Sequence, residues 1–197
     1  MKKKFDQVYQ FKITLKGIRP PIWRRIQVPE KYTFWGLHVA IQDAFGWSDC
    51  HLHEFELQDK STSLRVDIGI PDEDFDRSIL AGWNQKIVDY FSMENCSAHY
   101  VYDFGDYWVH KIQLEKIIPK EKDGIYPRCI KGKRACPPED CGGIGGYERL
   151  LDIMNNENHE EYDEMIEWLG GRFDPEHFDV DEVGFNDPDK RRNIAFE

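Results

Sequence analysis

The sequence predicts an α+β fold: a mixed or antiparallel sheet built from hairpins, a helix after the first hairpin, and an acidic helical segment towards the C-terminus. Three observations predict it. Apolar and polar residues alternate over residues 9–16 and again over 107–116, the period of two that marks a half-buried strand. Between those stretches Phe34, Leu37, His38, Ile41 and Phe45 recur at helical spacing. Residues 139–189 carry 17 acidic side chains against only Arg149 and Arg172, and contain two short apolar runs of helical character.

Each element follows in order. Tyr9, Phe11, Ile13 and Leu15 share one strand face, with Gln10, Lys12, Thr14 and Lys16 on the other. The run from Gly17 to Pro21 must turn, because consecutive prolines forbid helix and donate no ladder hydrogen bonds. Ile22, Arg24, Ile26 and Val28 form the returning strand, with Arg24 anomalous on an apolar face. Thr33 is a suitable N-cap for the helix that Gly46 closes. Strands are expected at residues 54–58 and 64–68, an acidic loop at 71–76, and a short helix or irregular turn over 79–91. Residues 100–103 and 107–116 pair about the tight connection Phe104-Gly105-Asp106, with Trp108, His110, Ile112 and Leu114 on one face. The Gly-, Pro- and Cys-rich stretch 120–146 reads as a long ordered loop or knuckle. Helices are expected over 147–156 and 160–169, ended by Gly170-Gly171, and then a loosely structured tail.

The 197 residues are read as a single domain, with residues 1–138 as a β-rich body and 139–189 as its acidic part. The net charge of −11 is unevenly spread: residues 1–138 hold 21 basic against 19 acidic side chains. The first 38 residues hold nine basic and two acidic ones, so the front of the chain and its tail could attract each other. No apolar run approaches the ~20 residues of a membrane span, and the lysine-rich start has no apolar stretch behind it. The expected location is therefore the cytoplasm, without membrane association. Five cysteines with no CxxC pair argue against a disulfide framework.

A set of strings carries a resemblance. Arg19-Pro20-Pro21-Ile22-Trp23-Arg24-Arg25, Leu37-His38, Phe45-Gly46-Trp47 and His51-Leu52-His53-Glu54-Phe55 come first. Tyr102-Asp103-Phe104-Gly105-Asp106-Tyr107-Trp108-Val109-His110 and Cys136-Pro137-Pro138-Glu139-Asp140-Cys141-Gly142-Gly143 follow, then Gly146-Tyr147 and Phe173-Asp174-Pro175. In this order, over about residues 9–183, the sequence resembles the plasmid pRiA ORF-three-like family, a bacterial and archaeal family with relatives carried as passengers on insertion elements. The resemblance implies a plasmid or mobile-element setting and supplies no activity. Some members carry a resolvase-like label, but this sequence shows no resolvase serine motif.

Four constellations could carry chemistry. His38, His51, His53, Asp103, Asp106 and His110 offer imidazole and carboxylate ligands, with Glu54 as a candidate base. The plainer alternative makes His38 and His110 core histidines and the aspartates turn-forming residues. Cys129, Cys136 and Cys141 lie at C-x6-C-x4-C spacing in a loop that structural zinc would stabilise. Cys96, His99 or His159 would have to supply the fourth ligand, and buried free thiols are the alternative. The glycines of 142–146 precede a helix but lack the P-loop Lys-Ser/Thr, and Glu139 and Asp140 would repel a phosphate. Asp103-Phe104-Gly105 matches a kinase tripeptide without any other kinase motif. Finally Lys2, Lys3, Lys4, Lys12, Lys16, Arg19, Arg24, Arg25 and Lys31, with Trp23 and Trp35 between them, could track phosphates. Arg19, Arg24 and Arg25 are the sharpest such candidates, although the pI near 5.1 argues against nucleic acid.

Two functions remain open on the sequence. One is an interaction module of mobile-element type, binding protein or nucleic acid. The other is a small metal-dependent hydrolase or nuclease centred on His51, His53, Asp103, Asp106 and His110. The sequence favours the first.

Overall fold

The computed structural model describes residues 5–59, 62–71 and 78–196. The lysines at positions 2–4 and most of the acidic loop lie outside these residues. Eight strands form one sheet: β1 (Gln7–Leu15), β2 (Trp23–Pro29), β3 (His53–Gln58), β4 (Arg65–Gly69), β5 (Ile79–Ala81), β6 (Ser97–Tyr102), β7 (Trp108–Pro119) and β8 (Arg128–Lys133). Their spatial order is β5-β4-β3-β6-β7-β1-β2-β8, antiparallel throughout except for the parallel pair β4–β5. The expected α+β class with a hairpin-built mixed sheet is the one observed.

The helices are α1 (Phe34–Phe45), α2 (Ile87–Tyr90), α3 (Gly143–Met154), α4 (Tyr162–Leu169) and α5 (Pro188–Phe196), with a 3-10 turn at Val180–Glu182. The first of them starts where the sequence placed it, because the Thr33 hydroxyl accepts the Gly36 amide hydrogen bond, and Gly46 ends it in the left-handed region at φ 82°. It packs on the apolar face of the sheet, where Tyr9, Phe11, Ile13, Leu15, Ile112 and Leu114 are buried. Burying a side chain of that size contributes roughly 1.5–3 kcal/mol, so this layer is the main source of stability.

All residues of α1 except Asp43 are buried, more than one amphipathic face requires. The reason is the tail, which is ordered rather than loose. Its last helix lies across α1: the Trp35 indole donates to the Pro188 carbonyl at 2.9 Å and Trp35 packs against Phe196. Arg191 reaches Asp43 at 2.8 Å, and Asn186 donates to the same carboxylate through its backbone and side-chain nitrogens. Proline at the first position of α5 lacks only an amide that would have gone unpaired.

Two further expectations change. The stretch expected to be loop contains β8, which pairs with β2 as a sheet edge. Its sequence, RCIKGK, has too little alternation and too much charge to read as a strand. The helix expected from residue 147 begins at Gly143, so the glycine run is its first turn. That turn is glycine because space is short: a Cβ on Gly146 would overlap the Cys141 carbonyl oxygen, and one on Gly143 would sit 2.7 Å from the Asp106 carbonyl oxygen.

Candidate metal centre

Three connections meet at one end of the sheet: α1 to β3, β6 to β7, and β8 to α3. They are laced together by hydrogen bonds. The Trp47 indole donates to the Pro137 carbonyl at 3.0 Å, and the Ser48 amide to Glu139 Oε1 at 2.7 Å. The Tyr102 hydroxyl donates to Glu139 and accepts from the Cys50 amide at 3.1 Å. Asp106 Oδ2 accepts the Gly142 amide at 3.1 Å, ahead of α3. Each connection bends sharply, and Asp49, Asp103 and Asp140 all adopt positive φ, a conformation that aspartate tolerates better than most side chains.

This convergence puts His51 among carboxylates. Its Nε2 lies 2.9 Å from Asp140 Oδ1, 3.7 Å from Asp103 Oδ2 and 3.9 Å from Glu139 Oε2. None of the three is a hydrogen bond, the Asp103 and Glu139 contacts being too long and the Asp140 contact misaligned, although the nitrogen itself is shielded from solvent. Asp103 Oδ1 is committed to the Gly105 amide at 2.8 Å, which leaves Oδ2 facing His51. His51, Asp103 and Asp140 offer ligand atoms within 4.8 Å of one another, the one such group of three among the described residues. Donors around a shared zinc, at bond lengths near 2.1 Å, stand about 3–3.5 Å apart, so a small closure would complete a triad of one imidazole and two carboxylates. Asp140 is 69% exposed, so the outer side of the triad is open.

The other residues of the predicted cluster lie elsewhere. The His53 side chain points to the α1 face and stacks on His38. His38 bonds the Tyr100 hydroxyl through Nδ1 and Asp49 through Nε2, each at 2.8 Å. Burial pushes both imidazoles well below the usual histidine range. His110 is buried among Phe45, Trp47 and Tyr100, and burial pushes it down to about 3. These are core histidines. Glu54, expected as a base, alternates to the opposite sheet face and lines an open hollow with Glu56, Arg65 and Asp67. Asp106 acts on the backbone, as described above.

The cysteines do not gather. Cys129, Cys136 and Cys141 do not bring their sulfurs within 4.8 Å of one another, and burial pushes all three thiols up, Cys141 to about 12. Of the expected fourth ligands, the Cys96 sulfur accepts from Gln113 and His159 Nδ1 accepts the Glu161 amide.

The basic hairpin is mostly occupied. Arg24 is 3% exposed, donates to the Ala44, Trp23 and Lys133 carbonyls, and lies 4.0 Å from the Phe178 ring centroid. Arg25 is held in a two-point ion pair by Glu115 at 2.6 and 2.7 Å. Arg19 is exposed. The tail therefore does reach the hairpin, but it covers Arg24 with an aromatic ring rather than with a carboxylate.

Sequence reasoning missed Asp140 and Glu139 as site residues, having weighed them only as a repulsion to phosphate. Their signal was an acidic pair one residue from a glycine turn that forces a close approach to the Asp103-Phe104-Gly105-Asp106 connection.

The strings that carried the resemblance from the three connections are the ones that meet here, and the comparisons agree with it. The sequence profile of the plasmid pRiA4b ORF-3-like protein matches residues 7–182. An uncharacterised protein, y4hQ, of Sinorhizobium fredii is 33% identical over 173 residues, covering 83% of this chain and 81% of that protein. The crystal structure of a protein of unknown function, MM3350, from Methanosarcina mazei Go1 superposes with a TM-score of 0.87 at 48% identity, covering 92% of this chain and all of that one. This chain belongs to the plasmid pRiA4b ORF-3-like family.

Proposed function

We propose that the chain is a small metal-dependent hydrolase whose divalent cation is held by His51, Asp103 and Asp140. The observation that carries this reading is His51 Nε2: solvent-shielded, ringed by three carboxylate oxygens within 3.9 Å, and hydrogen-bonded to none of them. A nitrogen so placed is better satisfied by a cation shared with the carboxylates than by any one of them. One imidazole with two carboxylates suits zinc, manganese or iron(II), and leaves coordination positions open. Such an ion would polarise a carbonyl or phosphoryl oxygen and acidify a water. Glu139, fixed by the Ser48 amide and the Tyr102 hydroxyl, is the carboxylate placed to accept the water's proton.

Binding of nucleic acid through the hairpin has less support, since Arg24 is internal and Arg25 is paired. The test is hydrolysis of bis(p-nitrophenyl) phosphate and p-nitrophenyl acetate by tag-free protein with manganese or zinc. Activity that falls about a hundredfold or more in Asp103→Asn supports the reading. Absence of turnover on every ester, phosphodiester and peptide tried, with metal bound, would sink the hydrolase and leave a cation site alone.

A further inference from the structure

A groove between α3 and α4 opens beside Asp140, with a volume of about 430 Å³. Its floor is apolar: Leu150 is buried, Met165 is partly exposed, and Trp168 is 50% exposed. No residue of α4 is fully buried, so this helix presents apolar surface that the core does not use. The charge around it is one-sided. Residues 139–171 carry ten acidic side chains against Arg149 alone, a net of −9. Arg149 is neutralised by Glu161, to which it donates at 2.5 and 2.6 Å. That leaves Glu164 as a carboxylate on the groove with no ion pair among the described residues, and Asp140 as one whose other oxygen faces outward from its contact with His51 at 2.9 Å.

We infer that this groove binds a basic peptide segment, seating the aliphatic stem of a lysine or arginine on Leu150, Met165 and Trp168. The cation would then lie against Glu164 and over the Trp168 ring. Apolar stem and charged head match an apolar floor with an acidic rim, and a cation over an exposed indole gains further attraction. An anionic or nucleic-acid ligand would meet a net repulsion here. Occupancy itself does not depend on the proposed metal. Where the metal reading also holds, the peptide backbone beside Asp140 would be the substrate, because that carboxylate lines both the groove and the centre.

The experiment is fluorescence anisotropy of labelled hexalysine with the full chain, first in chelator and then with manganese, and with hexaglutamate and spermine as comparators. Hexalysine is expected to bind in chelator and to weaken steeply as salt rises through about 50–300 mM, where screening lengths shorten. Trp168→Ala is expected to weaken it by about fivefold, and Glu164→Gln by about threefold. Trp168 is half exposed, so its removal leaves folding intact, and circular dichroism checks that. Binding that is unchanged in both variants, absent, or matched by spermine, which carries only four charges, would overturn the groove proposal. Metal binding without peptide binding would overturn this inference alone, and peptide binding without metal binding would overturn only the hydrolase.

Discussion

His38 on α1 and His53 on β3 lie face to face, their ring centroids 3.5 Å apart and their planes within 7° of parallel. Two imidazolium ions could not share that position, and burial keeps both rings well below the usual histidine range. The pair is roofed by Trp35, which α5 in turn covers. A helix that looked amphipathic in sequence is thus enclosed from both sides, and His38 and the Gln42 amide nitrogen both bond the Tyr100 hydroxyl beneath it.

Acid should destabilise the fold from an unusually high pH. A buried neutral histidine has a folded-state pKa below its unfolded value of about 6.5, so its contribution is complete above that pH. Below it the unfolded chain binds a proton that the native chain refuses, and stability falls towards the folded pKa. His38 and His110 together would give a slope approaching about 3 kcal/mol per pH unit once the unfolded state is protonated. Urea midpoints measured from pH 7.5 to 5 check this. His110→Phe should flatten the slope whatever it does to stability at neutral pH.

Arg24 should behave as a core residue. Its guanidinium lies between the Phe45 and Phe178 rings and bonds three carbonyls, so Arg24→Ala leaves those carbonyls short of donors and opens a void. A loss of about 3 kcal/mol or more is expected. Arg24→Lys should recover little of it, because an ammonium cannot reproduce the planar fork. Equal stability of wild type and Arg24→Lys in urea would contradict this.

Removal of α5 should loosen α1. A chain ending at Val183 would expose Trp35 and strip Asp43 of Arg191 and Asn186. We expect a stability loss of about 2–3 kcal/mol, mostly from the uncovered indole. Amide exchange should accelerate in α1 before it does in β1 and β7.

Much of the body was legible because its signals are local. Alternation in β1 and β7, the Thr33 and Gly46 caps, and the burial of His110 all follow from period and punctuation. The edge strand β8 was not legible, since its pairing with β2 is imposed by tertiary contact on a charged, glycine-containing segment. The tail was illegible for a related reason: α5 has little apolar face of its own and is held by Asp43 and Trp35, far away in the chain. At the site, His51 and Asp103 could be named as ligand types. Their third partner depended on how the Cys136–Cys141 turn folds back on the β6–β7 connection, which no spacing encodes.

Gly146 tests that fold-back. A Cβ there would collide with the Cys141 carbonyl oxygen, so Gly146→Ala must shift the turn that carries Glu139 and Asp140. We expect a stability cost of about 2 kcal/mol and a metal affinity weakened by about tenfold or more, while the sheet's circular dichroism persists. Unchanged affinity would mean that the turn does not position the ligands.

The most direct test of the centre is calorimetric titration of manganese or zinc into tag-free, chelator-treated protein. We expect one ion per chain, affinity reduced by about tenfold or more in His51→Ala and in Asp103→Asn, and no change in Cys136→Ser. Absence of stoichiometric binding, or binding indifferent to His51 and Asp103, would contradict the metal centre and leave His51 as an ion-pair partner of Asp140.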